Sequence, residues 1–315
     1  MKFGINSLNE IANMILGQKL KYADTVVIGD NSSGKSLLLK ILIEKFETKD
    51  EIYFIDAVNR GFDASKVFKE ERKHDYKQSI IDTRMKPDYF NLRDSFSFLG
   101  TSTERVEQLY FLYEDKLQSM FERFTGDKYK VLPGDILGEV EFGDTRGLLS
   151  SGYQAITRIL LELLYYEDKC IECKNISEAT VIIDELDEFL SPSYAFMIMP
   201  FLKKNFPKMN FVVTTHSCDL VAGTQNGNLI ALSNSEYEVM DINDFQSVSE
   251  VQIVFDRIFG EHSVGACDIE NELRRLLNNR INNAWSESDQ MKLESIQKDC
   301  LSASQRIICR QISEW

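Results

Sequence analysis

The stretch from Gly29 to Ser36 constrains the fold more than any other part of this chain. It reads Gly-Asp-Asn-Ser-Ser-Gly-Lys-Ser and fits the phosphate-loop pattern G-x-x-x-x-G-K-[ST]. The apolar run from Thr25 to Ile28 predicts a buried strand before it, and Leu37 to Ile43 predicts a helix after it. A Gly-rich turn that leads into a helix presents backbone N–H groups to phosphate oxygens. The sequence therefore predicts an α/β fold that binds a nucleoside triphosphate.

The side chains at the end of this loop have distinct predicted roles. We expect Lys35 to reach the β- and γ-phosphates and the Ser36 hydroxyl to be a ligand of Mg²⁺. The predicted nucleotide-binding residues are Gly29, Asp30, Asn31, Ser32, Ser33, Gly34, Lys35, Ser36 and Leu37.

Two further apolar runs end in polar side chains. Ala179 to Ile183 predicts a central parallel strand that ends in Asp184 and Glu185. We expect Asp184 to hold Mg²⁺ and Glu185 to orient or deprotonate the attacking water. The run that begins at Phe211 predicts another strand, which ends at His216. Because ligands of open α/β sheets bind at the carboxyl ends of strands, His216 is expected to bond the γ-phosphate or the water.

A fourth element combines small polar residues with a helix start. Leu149 to Gln154 reads Leu-Ser-Ser-Gly-Tyr-Gln, and an apolar helix is predicted from Ala155 to Tyr166. Ser150 and Gly152 at a helix start can make an anion site. Taken alone, this segment is an ordinary Ser/Gly cap.

Together the four elements resemble the ABC-type ATPase head, in the same order, from the first strands to about Asn234. Asn31 fits the G-x-N-x-x-G-K-S form of ABC and SMC-like heads. Leu149 to Gln154 is similar to the signature motif L-S-G-G-Q, which in that family contacts the γ-phosphate held by the other protomer. The resemblance implies ATP and Mg²⁺ as cofactors and a homodimer that encloses two ATP molecules. The residues expected to act in trans are Ser150, Ser151, Gly152 and Gln154.

A narrower resemblance follows the acidic pair. Asp184 to Pro192 is similar to the D-E-P-E-x-x-L-H-P segment of AAA-family ATPases related to the overcoming-lysogenisation-defect (OLD) proteins, and Thr214 to Ser217 is similar to their T-T-H-S. Such heads occur in bacterial anti-phage systems, paired with nuclease domains or subunits. The resemblance therefore implies antiviral defence or a DNA transaction as the setting.

The chain departs from these patterns at four places. Leu186 stands for the usual proline, Ser191 for the usual histidine, and Ser151 for the first glycine of the signature. The glutamine loop is missing as such, and Asn59, after the predicted strand Ile52 to Ile55, is its possible substitute. The departures leave ATP binding expected and the rate of hydrolysis open.

Composition and charge are those of an intracellular enzyme. The 315 residues, 43% of them hydrophobic, can form one large domain or two small ones. No apolar run approaches a membrane span and the start lacks a signal-peptide pattern, so we expect a cytoplasmic protein without membrane contact. The cysteines are scattered. Only Cys170 and Cys173 form a C-x-x-C, which fits either two plain thiols or a zinc or redox site.

The predicted organisation is a head at 1–245, with a helical insert at about 60–127, and a helical tail at 246–315. The insert should contain a helix within Thr101 to Phe124, and Lys128 to Phe142 should form a hairpin around Pro133-Gly134. Closing strands are expected at Leu229 to Leu232 and at Glu236 to Met240. Apolar stripes in the tail should pack on the head or on each other, with a partner-docking surface as the alternative.

The net charge of −14 argues against a surface coated for nucleic acid, although DNA or RNA could meet a local basic face. The densest positive cluster, Lys66 to Lys77, fits either a solvated helix face or such a contact. No nuclease constellation is evident, so we expect a separate effector, a nuclease or a toxin, under the control of the ATPase. The alternatives are the ATPase subunit of an ABC transporter and a scaffold that binds ATP without hydrolysing it.

Overall fold

The computed structural model describes residues 4–17, 19–46, 51–56, 61–67, 106–172, 179–233, 236–245, 247–259, 272–273, 275–277, 279–280, 285–297 and 303–314. The chain divides into two compact units, Met1–Ile253 and Val254–Trp315. None of the described helices combines the length and the apolar composition that crossing a bilayer requires.

A six-stranded sheet forms the centre of the first unit. Its strands are β1 (Asp24–Gly29), β2 (Ile52–Ile55), β6 (Ala179–Ile183), β7 (Met209–Thr214), β8 (Gly227–Ser233) and β9 (Glu236–Asp241). They lie in the order β2-β6-β7-β1-β8-β9, and all neighbours are parallel except β8 and β9. This mixed α/β architecture, with the phosphate loop between β1 and the next helix, confirms the predicted fold class.

The strands β1 and β2 are buried along their whole length, as the apolar runs in their sequences predict for parallel strands covered on both faces. Two helices, α1 (Ile5–Leu16) and α2 (Lys35–Lys45), contribute to one core cluster with the sheet. The members of that cluster include Leu8, Ile11, Leu38, Leu39, Leu42, Val27, Phe54, Ile182, Val212 and Ile230.

A second, three-stranded antiparallel sheet lies between two long helices in the sequence. It consists of β3 (Lys130–Val131), β4 (Val140–Phe142) and β5 (Thr145–Gly147), and the helices are α3 (Tyr110–Thr125) and α4 (Ser151–Glu172). The expected hairpin is present, but Pro133-Gly134 is not a tight turn between paired strands. Because Val131 pairs with Val140, the connection is longer and holds a second positive-φ glycine, Gly138.

Three more α-helices follow β6 in the described part of the chain up to residue 259: α5 (Pro192–Asn205), α6 (Cys218–Gly223) and α7 (Val248–Phe259). Ser191, which stands where the family has histidine, is the N-cap of α5, and its hydroxyl accepts from the Tyr194 N–H. Pro192 at the first helical position fits this start. The closing strands β8 and β9 pair in register from Ser233 with Glu236, as the sequence predicts.

The second unit is a small helical cluster. It contains the helices α8 (Glu287–Ile296) and α9 (Ala303–Glu314), together with described helical residues between 272 and 280. Its buried core consists of Leu273, Leu276, Leu293, Ile296, Cys309 and Ile312. Within the described residues, the apolar stripes of the tail therefore pack on one another. Ile281 and Leu301 lie outside the described part.

Candidate nucleotide site

The predicted phosphate loop connects β1 to α2 at the carboxyl end of the sheet. Two of its residues have positive φ angles, Ser32 at 64° and Gly34 at 107°, which turn the chain sharply into the helix. A Cβ atom at Gly29 would lie 2.4 Å from Ser33 Oγ and 2.9 Å from the Leu232 carbonyl oxygen. Only glycine fits there, since real Cβ atoms do not approach other atoms so closely.

Lys35 is buried and tied to its own loop. Its Nζ donates to the Gly29 carbonyl oxygen at 2.8 Å and to the Asp30 carbonyl oxygen at 3.3 Å. Burial lowers the pKa of Lys35, while the charges of Glu185 and Asp184 act in the opposite direction. The ammonium group is thus held under the loop that would receive the phosphates, among carboxylates that favour its charge.

The acidic pair directly follows β6, and β7 separates β6 from β1 in the sheet. Even so, the Ser36 hydroxyl donates to Asp184 Oδ2 at 3.4 Å, so the loop and the acidic strand end meet. Hydroxyl and carboxylate oxygens are ligands that Mg²⁺ prefers. Ser33 Oγ is buried without a hydrogen-bond partner in the described part of the chain. The donor set and this orphaned polar atom both fit a bound Mg²⁺ and triphosphate.

Glu185 adopts a backbone conformation that is rare for its residue type, with φ at 52°. Burial raises the pKa of Glu185, and repulsion from Asp184 raises it further, while Lys35 lowers it. A carboxylate with a raised pKa is a stronger base once it is ionised.

His216 lies beside this carboxylate, with its Nε2 atom 3.8 Å from Glu185 Oε1. Burial lowers the pKa of His216 below its usual value of 6.5, and the positive charge of Lys35 lowers it further. The lowered pKa favours the neutral imidazole, and the contact is an ion pair only when His216 is protonated. A neutral imidazole can still donate one hydrogen bond and accept another.

Thr214, at the end of β7, joins the two acidic residues. Its hydroxyl donates to Asp184 Oδ1 at 2.6 Å and accepts the Glu185 N–H at 2.7 Å. Its carbonyl oxygen accepts the Leu186 N–H at 3.0 Å. Sequence reasoning assigned Thr214 only to the T-T-H-S resemblance. The available signal was its position directly before Thr215 and His216, at the end of a strand next to β6.

The signature segment, Leu149 to Gln154, lies at the start of α4. The helix begins at Ser151, four residues before the predicted Ala155, because the Ser150 hydroxyl accepts the Tyr153 N–H and the Ser150 carbonyl accepts the Gln154 N–H. The Gln154 side chain donates to the Leu149 carbonyl oxygen at 2.9 Å. A Cβ atom at Gly152 would lie 3.0 Å from the Phe189 carbonyl oxygen.

This segment lies at the surface. Ser150 and Ser151 are exposed, and 67% of the Leu148 surface is accessible. Phe189, in the turn after the acidic pair, is 51% exposed. The face that carries the signature segment is thus open and partly apolar.

Several other predicted positions lie outside the described residues. Asn59, the possible glutamine-loop substitute, is among them, as are Cys173 and most of the cluster Lys66 to Lys77. The segment resumes at Gly61, whose carbonyl accepts a hydrogen bond from Arg158 at 2.9 Å. Arg158 also forms a buried ion pair with Glu162, which accepts a hydrogen bond from Tyr53 of β2.

Sequence comparison finds two curated relatives, both called Septu protein PtuA. The protein from Bacillus mycoides (strain KBAB4) is 34% identical over 92 residues, which cover 29% of this chain and 13% of the relative. The protein from Bacillus thuringiensis is 24% identical over 198 residues, which cover 60% of this chain and 45% of the relative. The chain thus spans less than half the length of the relatives that it matches. No model of a known protein family matches it.

Similar solved structures include a putative metal-chelate type ABC transporter in an inward-facing conformation, 14% identical, with a TM-score of 0.37. That match covers 76% of this chain and 79% of the transporter chain. The SMC head domain from Thermotoga maritima is 16% identical, with a TM-score of 0.30, covering 44% of this chain and 51% of that one. By its motifs, their order and their placement on the sheet, the chain resembles an ABC-type ATPase head, as the sequence indicates.

Proposed function

We propose that this chain binds ATP with Mg²⁺ and hydrolyses it. The observation that carries the proposal is the 3.4 Å hydrogen bond from Ser36 Oγ to Asp184 Oδ2. It joins the phosphate loop to an acidic strand end across an intervening strand. The carboxyl end of the parallel sheet carries a Gly-rich loop, a buried lysine and an acidic pair. This combination is typical of a site for a nucleoside triphosphate.

The roles of the side chains follow from their positions. The loop N–H groups and Lys35 would bind the β- and γ-phosphates, and Ser36 and Asp184 would hold Mg²⁺. When bound there, Mg²⁺ would neutralise charge that develops on the phosphate oxygens. Glu185 would accept a proton from the attacking water, since its raised pKa suits a base. His216, whose Nε2 atom lies 3.8 Å from Glu185 Oε1, would hydrogen-bond the γ-phosphate or the water.

We propose further that the signature segment completes the site of a second protomer, with Ser150, Ser151, Gly152 and Gln154 acting in trans. Exposure of Ser150 and Leu148 beside the segment supports this arrangement, because a surface that meets a partner must be open in the single chain. Closure of the dimer around two ATP molecules would then be the event that ATP controls.

The biological setting is proposed from resemblance. The segment from Asp184 to Pro192 resembles ATPases of anti-phage systems, and both curated relatives are called Septu protein PtuA. We therefore propose a defence ATPase that regulates a separate effector, a nuclease or a toxin.

The test combines binding with turnover. Purified protein should bind ATP with Mg²⁺ in a calorimeter and release phosphate, and Lys35→Ala should abolish both. Lys40→Ala is the matched control, since it removes a lysine from the same helix away from the loop. Unchanged ATP affinity in Lys35→Ala would sink the assignment.

The effector is tested in the native host. Tagged Glu185→Gln, which should hold ATP, and Lys35→Ala, which should not, are purified side by side. A nuclease or toxin that co-purifies with only one of the two supports control by ATP. An identical set of co-purifying proteins contradicts it.

A further inference from the structure

We propose that Thr214 is a positioning residue that sets the orientation of both acidic side chains for Mg²⁺ and for the attacking water. The inference rests on the proposed function, because it concerns the same site. It adds a residue to which neither the motifs nor the comparisons assign a role.

The first step is that the two carboxylate oxygens of Asp184 accept hydrogen bonds from different residues. Oδ1 accepts from the Thr214 hydroxyl at 2.6 Å, and Oδ2 accepts from Ser36 at 3.4 Å. A short bond at one oxygen fixes the rotation of the carboxylate, so the other oxygen is aimed at the phosphate loop. At 3.4 Å the bond to Ser36 is the longer and weaker of the two. The short bond to Thr214 is therefore the one that fixes the carboxylate.

The second step concerns Glu185. The hydroxyl that donates to Asp184 also accepts the Glu185 N–H at 2.7 Å. The backbone of Glu185 has a φ angle of 52°, a conformation that a non-glycine residue keeps only when its surroundings determine it. The Thr214 hydroxyl is part of those surroundings. A single buried group thus holds the carboxylate of one acid and the backbone of the next.

The third step concerns a hydrogen bond that depends on Leu186, a residue in which this chain departs from the family pattern. The Leu186 N–H donates to the Thr214 carbonyl oxygen at 3.0 Å. In the family pattern this position is proline, which has no N–H. Leu186 therefore makes a hydrogen bond that a proline at this position could not make. Thr214 thus bonds to residues 184, 185 and 186, through both its side chain and its main chain.

The test compares Thr214→Val, which keeps the shape and removes the hydroxyl, with Thr214→Ser, which keeps the hydroxyl. Thr157→Val is the matched control: Thr157 is also fully buried, and its hydroxyl pairs with Tyr129 at 2.8 Å in another part of the unit. Fluorescent-ATP binding is titrated with Mg²⁺, and phosphate release is measured in parallel.

We expect Thr214→Val to raise the Mg²⁺ concentration for half-maximal ATP binding about tenfold and to lower kcat about tenfold, the loss expected for one charge-assisted hydrogen bond. Nucleotide affinity without Mg²⁺ should change less than threefold. Thr214→Ser should restore both values to within threefold of the parent protein. Thr157→Val should lower the melting temperature by a similar amount without moving the Mg²⁺ midpoint.

The outcomes separate the two proposals. If the parent protein fails to bind ATP, the proposed function is wrong. If it binds ATP but Thr214→Val keeps the parent Mg²⁺ midpoint and kcat, the nucleotide site stands and the role of Thr214 is overturned. The role is also overturned if Thr214→Ser fails to rescue, because a packing effect would then explain the loss.

Discussion

The phosphate-loop side and the signature side of the proposed site are built in opposite ways. Lys35 is buried and bonded to the Gly29 carbonyl, and Asp184 and Glu185 share the hydroxyl of buried Thr214. Ser150, in contrast, is exposed, and its described bonds are local ones to residues 153 and 154. One side is buried at the end of the sheet, and the other is a helix start at the surface. Under the proposed function, a single chain would hold the phosphate-loop half of the site and present the signature half to a second protomer.

The largest expected effect is that of Lys35→Ala, which tests whether the buried half of the site binds ATP. If the buried half alone binds the nucleotide, loss of two charge-assisted bonds should weaken ATP binding on the order of 10³-fold. Calorimetry on the monomeric protein measures this directly. Binding that falls by less than tenfold would mean that the phosphate loop is not the principal site.

Glu185→Gln distinguishes ATP binding from ATP hydrolysis in the buried half of the site. The amide keeps the shape of the side chain but is not a base, so turnover should fall by about 10²-fold or more while ATP still binds. Trapped ATP should favour the dimer, which light scattering with ATP and Mg²⁺ would detect. Glu236→Gln, on the exposed edge strand β9, is the control for loss of one carboxylate. Equal turnover in both variants would show that Glu185 is not the base, and a parent protein that binds ATP without releasing phosphate would be a scaffold.

Ser150→Ala tests the outward half. We expect ATP affinity of the monomer to stay unchanged and turnover to fall about tenfold, the loss expected for one hydrogen bond to a charged phosphate of the second protomer. The substitution also removes a helix-start bond to the Tyr153 N–H. Ser191→Ala, which removes the equivalent cap from α5, controls for that effect. If both variants lose the same activity, the signature segment has only a structural role.

The smallest expected effect is in the pH profile. Glu185 must be ionised to act as a base, and its pKa lies above the usual 4.5 because of burial and of Asp184. The rate should therefore fall on acidification at a higher pH than an ordinary glutamate would give. The pKa of His216 is lowered by burial and by Lys35, so any step from this residue should lie below the usual 6.5. Stopped assays between about pH 5 and 8 test this, and a profile unchanged in Glu185→Gln would contradict it.

The sequence predicted the strands and the helix around the buried half because their signals are local. The Gly-rich loop, its flanking apolar runs and the acidic strand end each lie within a few consecutive residues. The strand order was not readable in the same way, since β7 comes between β1 and β6 only through pairing of distant segments. The bonds of Thr214 to Asp184 and Glu185 depend on that order. The start of α4 at Ser151 agrees with the Ser/Gly cap that the sequence predicts, although the apolar helix was predicted only from Ala155.

The sheet order also has a consequence for synthesis of the chain on the ribosome. β1 pairs with β7 and β8, and Asp24 at its start bonds to Phe211, 187 positions later. The ribosome adds roughly 5–20 residues per second, so about 10–40 s pass between the synthesis of Asp24 and that of Phe211. During that time an apolar strand has neither of its neighbours, so the nascent chain depends on a chaperone or on α1 and α2 to cover it. Truncations that end before Met209 should therefore aggregate rather than give a smaller nucleotide-binding fragment.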